Sequence, residues 1–177
     1  MSEKQDSAME SIILAQLRLH PVPETALAYL AGFFDGEGCI NITVRGKVRQ
    51  VVLRIMIVNT DLTILNAVQQ AFGGYVSTRL QKNPTWKPFS RVTLSGMAAF
   101  SLLELLAPYL VIKQPQVRLA LRFRAFQQTP KNKRCSFVVS PTKKMPNRTI
   151  CTRTPETLSK ELEFKKAMHV LNRKGVA

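Results

Sequence analysis

Two carboxylates stand close together in the segment Leu30-Ala-Gly-Phe-Phe-Asp-Gly-Glu-Gly38: Asp35 and Glu37. The apolar run before them reads as a helix, so both acids fall at its C-terminal end. The helix macrodipole is negative there, and a carboxylate is disfavoured by about 0.3–1 kcal/mol. In a chain of 177 residues with only 11 Asp and Glu, that placement asks for a compensating cation. The same helix carries Ala28, Gly32 and Gly36 at intervals of four. Small residues at that spacing let two helix backbones approach closely. If the helix packs against a copy of itself, two Glu37 side chains converge. Like charges that close need a divalent cation between or beside them. Beside a phosphodiester, such a cation activates water and stabilises the leaving oxygen. The same residues also read as a helix stop followed by a turn with exposed acids, and the short motif by itself leaves both readings open.

The rest of the charge points the same way. Lys and Arg number 26, for a formal net charge of +15. At this length, that balance favours a polyanionic partner, nucleic acid first and an acidic membrane surface second. A metabolic enzyme for small neutral substrates has no need of it. Between Leu62 and Pro155, Glu104 is the single acid against fifteen basic residues. So long a like-charged stretch repels itself unless something neutralises it, which favours a phosphate-facing surface over a solvated face. Cys39, Cys135 and Cys151 are widely spaced, and the histidines are only His20 and His169. That argues against a disulfide framework or a structural zinc site. The polar, acidic N-terminus is unlike a secretory signal, and the longest apolar run, Ala26 to Phe34, is too short to span a membrane. The chain is expected to be soluble and intracellular, with no membrane partner.

The elements that must position these residues follow from the pattern. An apolar content of 45% is that of a globular domain, with room for a short appendage. Residues 1–22 read as a leader with a short helix at Ile12 to Leu19. Pro23 suits the start of a helix running from Glu24 to Asp35. Cys39 to Arg45 alternates as a strand, Gly46-Lys47 as a hairpin turn, and Val48 to Val58 as a second strand. Asp61 caps a helix to Phe72, and Gly73-Gly74 stops it. Tyr75 to Lys82 and Phe89 to Ser95 are strands. Ser95 then caps a helix ending near Pro108, and another runs from Pro115 to about Gln128. The fold expected is α+β: an αββαββα core over 23–129, with one four-stranded antiparallel sheet covered by helices on one face. Residues 130–177 read as an extended basic arm and a C-terminal helix opened by Thr154-Pro-Glu-Thr.

Alternation assigns the other face of that sheet. Asn41, Thr43, Arg45, Gln50 and Arg54 point outward from the first strand pair, and Ser77, Arg79, Gln81, Arg91 and Thr93 from the second. Val52 and Met56 also point outward. Arg pairs bidentately with guanine and Asn or Gln with adenine in the major groove. A solvent-exposed sheet face alternates in the same way, and the Arg and Gln bias with the overall charge favours a surface that reads DNA. Few outward aromatics argue against a stacking platform for single strands.

The segment Leu30 to Gly38 resembles the LAGLIDADG motif of homing endonucleases. Leu30, Ala31, Gly32, Asp35 and Gly38 match letter by letter, and Glu37 replaces the second Asp with the other residue type that the family uses there. The αββαββα order is similar to the family core. Leu106-Ala-Pro-Tyr-Leu-Val-Ile-Lys-Gln114 resembles the stretch that delivers a basic residue to the active site. The similarity covers roughly residues 24 to 128, and Leu171-Asn-Arg-Lys-Gly175 resembles tails seen in the family.

The resemblance implies that Glu37 ligates an essential divalent metal, Mg2+ or Mn2+, with the Gly36 carbonyl assisting. It implies that Asp35 is structural and that Lys113 stabilises charge on the phosphate or positions water. Lys113 also reads as one more phosphate contact. Asn59 falls near the place of a solvent-organising Gln. Ala28, Ala31, Gly32 and Asp35 would line a dimer interface, and the outward strand residues would form a saddle in the major groove. With a single motif, the expected state is a homodimer on partly palindromic double-stranded DNA. The implied reaction is metal-dependent double-strand cleavage leaving short 3′ overhangs. Two rival readings are an intron-encoded maturase that binds intron RNA and a DNA-binding regulator that does not cleave.

Overall fold

A computed structural model describes residues 21–46, 50–80, 85, 87–129, 132, 135–138, 149–152 and 154–173. The leader helix, Lys47, Gln81 and most of the basic segment after residue 129 lie outside the described residues. Helix α1 spans Glu24–Glu37 and passes without a loop into strand β1, Gly38–Arg45. Strand β2 is Gln50–Asn59, helix α2 Leu62–Phe72, strand β3 Tyr75–Arg79 and strand β4 Phe89–Ser95. Helices α3, Met97–Leu106, and α4, Gln114–Gln128, follow, then strands β5, Cys135–Val138, and β6, Thr149–Thr152, and helix α5, Pro155–Leu171.

The four long strands form one antiparallel sheet in the order β1-β2-β4-β3, as the αββαββα reading requires. Its register stacks the apolar rows: Ile40 opposite Ile55, Ile42 opposite Leu53, Ile55 opposite Leu94 and Ile57 opposite Val92. These residues are buried under helices on one face. Phe34 of α1 and Phe123 of α4 are the largest side chains removed fully from water, each worth roughly 1.5–3 kcal/mol. Helix α5 belongs to the same core: Met168 is buried in it, and the Phe164 ring lies 5.5 Å from that of Phe123.

Three local outcomes differ from the sequence reading. The first helix runs two residues further, so both acids are helical. The cap of α3 is Gly96 at φ 61, not Ser95, because the chain must turn sharply there through a conformation that favours glycine. In the basic segment, Cys135–Val138 and Thr149–Thr152 pair as an antiparallel ribbon rather than running as a lone extended arm. Among the described residues, no helix is long and apolar enough to cross a membrane.

Candidate active site

Helix α1 sends Leu30, Ala31 and Phe34 into the core and leaves Ala28, Gly32 and Gly36 exposed. A Cβ added to Gly32 or Gly36 would meet nothing within 4 Å, so packing inside this chain does not require glycine at either position. Ala31, expected at a dimer interface, is instead fully buried within this chain, since it turns toward the core with Leu27, Leu30 and Phe34. Gly38 does need to be glycine. A Cβ there would lie 2.4 Å from the Phe34 ring and 2.5 Å from the Phe34 carbonyl oxygen. This close approach lets the strand leave the helix directly and fixes Glu37 at the junction.

The two acids then have different jobs. The Asp35 carboxylate accepts backbone N–H bonds from Val111 at 2.7 Å, Ile112 at 3.1 Å and Lys113 at 3.0 Å. The Lys113 ammonium in turn donates to the backbone carbonyl of Asp35. A helix end leaves its last carbonyls without intrahelical donors, and a cation there complements the macrodipole. Lys113 is therefore the cation that the acidic helix end asks for. Burial pushes the Asp35 carboxyl up, but the three N–H donors and the Lys113 charge outweigh it and hold the group below its ordinary value. Gln114 secures the turn from the other side, donating to the carbonyls of Ala107 at 2.6 Å and Leu110 at 2.8 Å. Asp35 thus faces the 111–113 turn of its own chain rather than a partner helix. Glu37, next along, is exposed.

The donors at this helix end are all oxygens: the Glu37 carboxylate and main-chain carbonyls such as that of Gly36. Such a set suits a hard cation, Mg2+ or Mn2+, rather than a thiolate- or imidazole-seeking metal. Among the described residues, no group of three or more His, Cys, Asp or Glu side chains gathers in one place. An ion wanting about six oxygens would thus draw most of them from water, a phosphate or a second copy of the chain.

Asn59 has a local task. Its Oδ1 accepts the Asp61 N–H at 2.8 Å, while Asp61 caps α2 through Thr63 N–H at 2.7 Å. Its register partner is Ser90, and alternation puts it on the helix-covered face with Ile57. The neighbouring outward residue is Val58, paired with Arg91.

The register places Asn41, Thr43, Arg45, Gln50, Arg54, Ser77, Arg79, Arg91 and Thr93 on one face of the sheet, away from the core. Among the described residues, few of them find partners within the chain. Arg91 Nε donates to Ser77 Oγ at 3.3 Å. Asn41 donates to Cys39 Sγ at 3.0 Å and accepts from Asn172 at 3.1 Å. The Thr43 hydroxyl and Arg54 Nε are buried with no hydrogen-bond partner among the described residues. Thr93 departs from expectation: it is 2% exposed, because β4 is a central strand with Met56 and Tyr75 on either side. Tyr75 is 52% exposed on this face and escaped the sequence reading, although alternation from Ser77 and Arg79 includes it. Asn172 lies in the tail segment noted in the sequence, but no pattern there gave its contact. It reaches from the end of α5 to the Ile40 carbonyl at 2.8 Å, 132 residues away in sequence.

Residues 30–116, which carry both the acidic helix end and Lys113, match the LAGLIDADG endonuclease family. No curated protein matches the chain. Among solved structures, it is similar to the homing endonuclease I-CvuI in complex with its target in the presence of calcium. That match has 22% identity over 85% of each chain and a TM-score of 0.58. It is also similar to the archaeal intron-encoded homing endonuclease I-Vdi141I complexed with DNA, at 10% identity over 86% of this chain and 87% of that one, with a TM-score of 0.60. I-SmaMI aligns with 83% of this chain over 44% of its own length, at 17% identity and a TM-score of 0.56. Identities this low speak for the fold, and it is the fold expected of the matched segment. The motif, the sheet and helix order and the matched segment agree, and residues 30–116 of this chain match the LAGLIDADG endonuclease family.

Proposed function

We propose that this chain is a site-specific homing endonuclease that works as a homodimer and cuts both strands of a long, partly palindromic DNA duplex with a divalent cation. One observation carries the reading: Asp35 is consumed by the 111–113 turn while Glu37, two residues on, is left exposed. A merely structural helix end has no use for the second acid. I-CvuI was solved with its target and I-Vdi141I with DNA, which supports duplex DNA as the partner.

In this reading the outward sheet face enters the major groove, where Arg54, Arg79 and Arg91 supply forked donors to guanine and Asn41 can read adenine, while Arg45 and Gln50 stand at the end of that face. Glu37 and the Gly36 carbonyl hold the cation, which when bound lowers the pKa of water and offsets charge at the phosphate. Lys113, tethered to the helix end, holds a fixed positive charge beside the scissile phosphate. Asp35 sets the position of Lys113. Ala28, Gly32 and Gly36 form the stripe where a second α1 packs, which brings two Glu37 groups near the two-fold axis. Val111 and Ile112, 80% and 71% exposed at the same helix end, extend that contact with apolar surface. Residues 23–129 serve as the nuclease core, and 130–177 add a basic arm and a closing helix.

The test is a plasmid library of randomised sites incubated with the protein and Mg2+. Double-strand cuts with short 3′ overhangs at partly palindromic sites are expected, and Glu37→Gln should bind the recovered site without cutting it. A wild-type protein that binds duplex but never nicks it in Mg2+ or Mn2+ would overturn the nuclease reading.

A further inference from the structure

Beyond the end of the outward sheet face lies a cleft of about 500 Å³ that the proposed groove reading does not use. Arg45 and Gln50, the last pair of the β1–β2 ladder before its turn, form one side. Arg124, from the last turns of α4, forms the other. Ser95, Gln128 and Asn132 add neutral polar groups, and no acid lines the cleft among the described residues.

The chemistry of this lining is one-sided. Two arginines line one cleft, and no carboxylate among the described residues lines it with them, which favours an anion there. Arg124 is held in place: its guanidinium lies over the Phe100 ring, 4.8 Å from the centroid. Stacking on a ring leaves the in-plane N–H donors of guanidinium for other partners. Its Nε is buried and has no hydrogen-bond acceptor among the described residues. The amides of Gln50, Gln128 and Asn132 can each donate or accept. The cleft also opens onto the face that carries the reading residues, since Arg45, Gln50 and Ser95 belong to both.

We propose that this cleft is a phosphate-binding site, with Arg124 and Arg45 gripping a backbone phosphate of the duplex just beyond the segment read by the sheet. This inference rests on the reading that the sheet face binds duplex DNA. Arg124 would then set affinity and salt dependence rather than sequence choice.

The experiment measures binding of the full chain to a random-sequence duplex across a salt series. A second duplex, trimmed to the span of the sheet face, is measured alongside. For Arg124→Gln, the slope of log affinity against log salt should fall by about one unit, the value expected for one lost phosphate contact. Affinity for the long duplex should drop about tenfold, while affinity for the trimmed duplex stays unchanged. Arg124→Lys, which keeps the charge, should recover most of the slope, and that separates charge from the packing of Arg124 on Phe100. Arg45→Gln, an exposed change, should lower the slope independently. Wild-type slope and affinity in Arg124→Gln would overturn the site, as would an equal loss on both duplexes. If inorganic phosphate raised the melting temperature of the wild type but not of Arg124→Gln, with duplex slopes unchanged, the site would serve a free anion and the DNA assignment would fall. A wild-type protein that binds neither duplex would overturn the underlying DNA reading itself.

Discussion

The end of α1 and the outward face of the sheet are built on opposite rules. At the helix end, polar groups are tied down inside the chain. Asp35 accepts three backbone N–H bonds, Lys113 reaches back to the Asp35 carbonyl, and Gln114 closes the same turn. On the sheet face, polar groups mostly have no internal partner among the described residues, and Thr43 Oγ1 and Arg54 Nε are buried without one. The contrast fits two tasks. Chemistry at a phosphate needs charges fixed before the substrate arrives, because reorganisation in the transition state costs rate. Reading a sequence needs side chains whose donors and acceptors are not yet spent.

Changes at the helix end should therefore cost rate, and changes on the sheet should cost binding. Glu37→Gln is expected to give the largest effect, a loss of roughly a thousandfold or more in cleavage with duplex binding nearly intact, read by cleavage and gel-shift assays. Full activity in that variant would erase the distinction between the two acids. Lys113→Met should follow, with a fall in kcat of about a hundredfold and little change in the binding constant. If binding fell instead and kcat held, Lys113 would belong with the sheet residues as a plain phosphate contact.

Asp35→Asn should lower kcat by less than Lys113→Met and also cost about 1–3 kcal/mol of stability, since a charged acceptor of three N–H bonds is weakened. The pH dependence sharpens this point. The Asp35 pKa is depressed in the folded chain, so its contribution is present above the ordinary carboxylate value and lost as pH falls through the depressed one. Denaturant melts in the acid range should thus decline less steeply for Asp35→Asn than for the wild type.

Gly32→Leu should leave the fold intact, because its side chain enters open space, yet convert a dimer to monomer by sedimentation. An unchanged dimer would show that α1 does not pair with its copy through this stripe. The smallest effect belongs to the sheet. Arg91→Gln should cost about 1–3 kcal/mol of discrimination at one base pair, measured by competition between single-base variants of the recovered site, with kcat unchanged at saturation.

Much of this could be read from residue types and spacing. Period-two alternation placed Ile40, Ile42, Leu53 and Ile55 inward and their polar neighbours outward, because a strand has only two faces. The acids at an apolar helix end announced a missing cation, because the dipole argument needs only local geometry. Burial of Thr93 was not legible, since alternation assigns a face but not the depth of neighbours on a central strand. Ala31 was misplaced for a related reason: a matching motif letter does not say which side of the helix the residue occupies. The β5–β6 pairing was hidden because the basic, proline-containing composition masked two short alternating segments. Asn59 was singled out by resemblance alone, whereas its local bond to Asp61 depends on where the strand stops.

Sequence by itself determined the elements, the two faces of the sheet, the excess positive charge and the acidic helix end, because each depends on contacts within a few residues. Tertiary structure decided which acid would be spent and which left free. Val111, Ile112 and Lys113 lie 76 to 78 residues from Asp35, and only the packed fold brings their N–H groups to its carboxylate. Two carboxylates separated by one glycine are chemically almost equivalent in the chain. The geometry of the fold gives one of them three donors and leaves the other facing solvent.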